Sequence, residues 1–125
     1  MATTASTLVR LRTLAELVED QLAFTPNTRL DYYHQAPQLR VYYGVTPVVT
    51  LRADGQLTVT NGGDFSTDCR DFINELLTLL GRPERFQDGR ERGWPILHGP
   101  HQGPCALSIS RQGQLQIKHT WPALS

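Results

Sequence analysis

Apolar residues recur at helical spacing in two stretches of the chain, and at strand spacing in the segments that follow each of them. Between Leu8 and Phe24 the stripe runs through Leu8, Leu11, Leu14, Val18 and Leu22, with Arg10, Arg12, Glu16, Glu19 and Asp20 off it. That spacing predicts an amphipathic helix. Ser6 is one candidate cap, Thr13 with Glu16 has capping-box spacing, and Thr25-Pro26-Asn27 ends the pattern. A cleaner stripe, Cys69, Phe72, Ile73, Leu76, Leu77 and Leu80, follows the i, i+3, i+4 rule throughout. Ser66 or Thr67 stands where its cap belongs, and Gly81 with Pro83 supplies the stop.

Segments 29–34 and 39–44 alternate and are rich in Tyr, and Gln35-Ala36-Pro37-Gln38 separates them, so they read as paired antiparallel strands. Leu39, Val41 and Tyr43 then face the core. Two similar strings follow, Val49 to Val59 and Leu107 to Ile117, each with Gly-Gln-Leu after its turn. A two-residue loop would set Leu51 against Thr58 and divide the apolar side chains between both sheet faces, burying neither. With Ala53, Asp54 and Gly55 as a three-residue loop, Leu51 opposes Leu57 and Val49 opposes Val59, while Thr50 opposes Thr58 on the other face. The second string closes likewise on Arg111, Gln112 and Gly113, with Ile109 opposite Leu115, and each Gly falls where a type I turn plus bulge needs positive φ.

The order is therefore α-β-β-β-β-α-β-β-β. Sheets apolar on one face need a cover, and the two striped helices are the segments able to supply it. The expected fold is a single α+β domain over residues 1–125, a two-layer sandwich with both helices on one face of an antiparallel sheet. Shifting the chain by 58 positions superimposes Gly55 on Gly113 and Leu14, Val18 and Leu22 on Phe72, Leu76 and Leu80. An internal αβ pseudo-repeat, 7–64 and 65–122, is one explanation, and convergence on one packing solution is another.

Composition narrows the function classes. Twelve basic residues balance twelve acidic ones, so no global field draws the chain to nucleic acid. No run approaches the length of a membrane span, and the first residues lack a basic segment followed by an apolar one, which points to a cytoplasmic protein. Cys69 and Cys105 are too few for a disulfide framework. Arg82, Arg85, Arg90 and Arg92 share their loop with Glu84, Asp88 and Glu91, which reads as a solvated segment.

Alternation turns one Tyr of each Tyr-Tyr pair outward, Tyr33 and Tyr42, beside Arg40 and with Arg52 on the next strand. Exposed Tyr with Arg is the composition of an interface hot spot, although ordinary cross-strand packing uses the same residues. The expected function is a small non-enzymatic interaction domain that binds a protein partner or itself through the sheet, without a cofactor. Its element order resembles that of small α+β chaperones that hold secretion substrates, an analogy carried by no residue motif, and an adaptor, an immunity-type inhibitor or a phage-encoded regulator would share it. The competing expectation is a zinc or thiol site built from His98, His101, Cys105 and His119, since zinc takes imidazole and thiolate ligands and the register sets Cys105 against His119.

Overall fold

The first hairpin closes as its alternation requires. A computed structural model describes residues 5–62, 66–87, 94–96, 103–105 and 115–118. In it β3 (Thr46–Arg52) pairs with β4 (Gln56–Val59) through Leu51 opposite Leu57, Thr50 opposite Thr58 and Val49 opposite Val59. Gly55 takes φ +93°, and its N–H donates to the Arg52 carbonyl at 2.9 Å. Only glycine enters that backbone region without strain.

Upstream of the hairpin, β1 (Thr28–Tyr33) and β2 (Gln38–Tyr43) pair antiparallel, and β2 pairs with β3. One residue is extra on β3. Val41 opposes Val49 but Tyr42 opposes Pro47, which leaves Val48 as a β-bulge. Both Val48 and Val49 are fully buried as a result. On the far side of the hairpin β4 pairs with β7 (Leu115–Lys118), giving a five-stranded antiparallel sheet in the order β1-β2-β3-β4-β7. A separate two-stranded piece joins β5 (Trp94–Ile96) to β6 (Gly103–Cys105), with Cys105 opposite Trp94. The remainder of the second hairpin, including the pairings of Ile109 and His119, lies outside the described residues.

Helix α1 spans Ala5–Gln21. It starts before either capping candidate and stops three residues short of Phe24, although Leu22 still carries a helical N–H bond to Val18 and remains buried. Helix α2 spans Thr67–Leu79 and is capped by Ser66, whose Oγ accepts from the Cys69 N–H at 3.2 Å. At its other end Arg82 N–H reaches the Leu77 carbonyl and Gly81 N–H the Thr78 carbonyl, with Gly81 at φ +75°. This is the Schellman arrangement that the Gly and Pro signals imply. The stripes of both helices form one core with the inner face of the sheet, where Leu39, Leu51, Leu57 and Ile117 lie in one row and Val41, Val49, Val59 and Leu115 in the next.

Over residues 82–87 the segment after α2 differs from the solvated loop expected, and the rest of that expectation, with Asp88, Arg90, Glu91 and Arg92, lies outside the described residues. Arg82 makes a bidentate pair with Glu84 at 2.7 and 2.8 Å, and the Glu84 side chain has no exposed surface. Arg85 donates to the carbonyls of Arg82 and Glu84. Asn74 of α2 then grips the Phe86 backbone with both ends of its amide, each bond 2.9 Å long, and Phe86 enters the core. Apolar cover from α2 lets these polar groups be buried because each has a partner.

Candidate functional site

The outer face of the sheet collects the side chains that the alternation turns away from the helices. Arg29, Asp31 and Tyr33 lie along β1, Gln38, Arg40 and Tyr42 along β2, and Thr50 and Arg52 along β3. Register sets Arg29 beside Tyr42, Asp31 beside Arg40, and Tyr33, Gln38 and Arg52 on one rung. Tyr32 and Tyr43 turn the other way, onto the core, and the Tyr43 ring meets Phe72 at 5.6 Å.

Two arginine–tyrosine stacks result. The Arg29 guanidinium lies 4.1 Å above the centre of the Tyr42 ring, and that of Arg40 lies 4.7 Å from the centre of the Tyr33 ring. A hydrogen bond of 3.3 Å between the two phenol oxygens ties one stack to the other. Second contacts hold both cations in place, Arg29 on Asp31 at 3.2 Å and Arg40 on the Gln38 amide oxygen at 2.9 Å. Each stack contributes about 0.5–1 kcal/mol at a site open to water. Tyr42 is almost wholly covered, whereas Tyr33 keeps 37% of its surface exposed.

The phenols are not equivalent. Tyr42 is held below the ordinary tyrosine range, first by its hydrogen bond with Tyr33 and then by that with Arg40. Tyr33 is pushed above that range, chiefly by its bond to Tyr42. The shared hydrogen bond thus separates the two ionisations, and either phenol can be its donor. Arg40 is in turn held above its ordinary value, mainly by Tyr42.

No protein family, curated protein or solved structure matches this chain. What the site can do must be argued from its residues. Planar cations fixed over aromatic rings offer free N–H edges to carboxylates and flat surface to other aromatic groups, at little entropic cost because their rotamers are already set. Nothing in the cluster pairs a nucleophile with a base.

Of the four residues singled out in the sequence, Tyr33, Arg40 and Tyr42 form one connected group. Arg52 shares their face but is engaged elsewhere, in an ion pair of 2.9 Å with Asp54. It lines a shallow depression of about 330 Å³ with Ala36, Pro37, Gln38, Ala53 and Asp54. Arg29 was missed. Counting outward from the Tyr pairs would have found it, since the same alternation that exposes Tyr33 exposes Arg29, opposite Tyr42. The alternative zinc or thiol set falls outside this description: His98, His101 and His119 lie beyond the described residues, and of Cys105 only the strand position is described. Among the described residues no group of three or more His, Cys, Asp or Glu side chains is arranged to hold a metal, and no helix is long and apolar enough to cross a membrane.

Proposed function

We propose that the chain is a small non-enzymatic interaction domain of the cytoplasm, an adaptor, chaperone-like or inhibitor-type module that binds a protein partner or a second copy through the outer face of its sheet. The two helices and the sheet form two layers in this reading, so that the face opposite the helices stays open. The observation that carries it is the linked pair of stacks, Arg29 on Tyr42 and Arg40 on Tyr33, whose side chains stand outside the core cluster that the helices share with the sheet. Tyr and Arg are the residues in which binding energy concentrates, and here they are ordered before any partner arrives.

Truncation is the test. Tyr33→Ala and Arg40→Ala remove half-exposed side chains and leave the core untouched. Each is expected to weaken association with a partner co-purified from the native host, or with a second copy, by roughly thirtyfold, the loss typical of a hot-spot residue. Titration calorimetry reads the loss, and an unchanged circular dichroism spectrum shows that the fold is intact. Association unchanged in both variants would overturn the proposal.

A further inference from the structure

We propose that β1 is a self-pairing edge: two copies of the chain join antiparallel through β1, centred on Leu30, so that Arg29 of each copy meets Asp31 of the other. Among the described residues β1 has no strand on its outer side. It carries no Pro, no Lys and no bulge against β2.

Hydrogen-bond parity shows which backbone groups are available. The Gly44 N–H donates to the Asn27 carbonyl at 2.7 Å, which makes Asn27 and Gly44 a hydrogen-bonded pair of the β1–β2 ladder. Such pairs alternate along an antiparallel ladder, so Arg29, Asp31 and Tyr33 bond to β2. Leu30 and Tyr32 therefore aim their N–H and C=O groups away from β2. Thr28 does the same, and its N–H turns back to the Thr25 carbonyl at 3.0 Å. Ladder bonds to a second copy must come from these even-numbered residues.

Charge then selects the register. Even residues must face even residues, which leaves only registers that differ by steps of two. Centring on Asp31 would place the two Asp31 carboxylates opposite each other, a repulsive pair. Centring on Leu30 gives reciprocal Leu30 bonds across the two-fold axis, with Thr28 opposite Tyr32 on the inner face. On the outer face each Arg29 stands directly opposite Asp31 of the second copy. Arg29 and Asp31 already touch within one chain at 3.2 Å, so the dimer closes a ring of two cations and two anions. The surface is thus complementary to itself, as an isologous contact requires.

The backbone bonds of this contact lie at the edge of the sheet, and although Arg29 and Asp31 flank them from the outer face, a monomeric wild type would leave binding of a protein partner by that face standing. Sedimentation equilibrium or light scattering tests it. An edge of six residues is a small contact, so the protein is measured at about 100 μM. Wild type is expected at twice the monomer mass of 14.0 kDa. Asp31→Arg and Arg29→Asp each replace attraction by repulsion at two symmetric positions and should weaken the dimer by roughly tenfold or more. Mixing the two single variants restores opposite charges at every outer position, so a heterodimer should form where neither variant self-associates. A wild type that stays monomeric would overturn the proposal, as would an Asp31→Arg protein that dimerises as tightly as wild type or a mixture that associates no better than either variant alone.

Discussion

Replacing Glu84 by Met, an apolar side chain of similar length, would take the bidentate carboxylate away from an Arg82 side chain that is only 13% exposed. Breaking a buried ion pair from one side costs about 3–5 kcal/mol, because the remaining charge keeps its desolvation penalty and loses its compensation. For a chain of 125 residues, unfolding entropy near 2.1 cal/mol/K per residue converts each kcal/mol into roughly 4 °C. Glu84→Met should therefore lower Tm by about 12–20 °C. Arg82→Met should also be destabilising, since a carboxylate with no exposed surface loses its bidentate partner. The double replacement removes both desolvation penalties and should come within about 2 kcal/mol of wild type. Urea and thermal unfolding of the four proteins give the coupling energy directly. A coupling below about 0.5 kcal/mol, or a Glu84→Met loss below about 1 kcal/mol, would mean that the pair behaves as a screened surface contact and that the burial argument is wrong.

Two further outcomes follow from other parts of the molecule. A pH titration of tyrosinate absorbance should show one phenol ionising below the ordinary value of about 10 and another above it. Tyr33→Phe should move Tyr42 back up, because the hydrogen bond with Tyr33 is the main cause of its lowering. The sign for stability follows by linkage. Below the ordinary value the folded state gives up the Tyr42 proton more readily than the unfolded chain, so stability rises with pH there. Above that value the unfolded chain loses its Tyr33 proton first, and stability falls. A flat profile through this window in urea melts at successive pH values would contradict the opposite directions of the two phenols. Separately, Gly55→Ala places a Cβ at φ +93° and should cost about 1–2 kcal/mol in urea unfolding. An unaffected midpoint would show that the loop relaxes to another turn.

Legibility in the sequence tracked how local the cause was. The register of Leu51 with Leu57 could be read from the string itself, because one glycine and strict alternation admit only one loop length. Helix α2 was legible for the same reason, its cap, stripe and Gly81 stop all lying within one short segment. The bulge at Val48 was not. Val48 and Val49 are adjacent apolar residues that fit a regular strand as well, and the extra residue emerges only when β3 must match β2. Nor did composition reveal the Arg82–Glu84 pair, since three charged residues near a Pro look solvated until Phe86 and Asn74 draw them against α2. Tyr33, Tyr42 and Arg40 could be placed on one face by counting. Their stacking depended on the β1–β2 register, which also brings in Arg29 and leaves Arg52 with Asp54.

The extra residue in β3 also bears on how this chain can change its length. Thr46 and Pro47 stand opposite Tyr43 and Tyr42 as though Val48 were not there. Losing one residue at that point would leave a regular ladder with both faces intact, at the expense of one packed methyl cluster. The same loss at Thr50 would use up the bulge but turn Val49 to the outer face, opposite Arg40. A strand that otherwise forbids insertions and deletions thus contains one phase-neutral position, and drift in the length of this sheet has a single place to occur without exchanging the core for the Arg–Tyr surface.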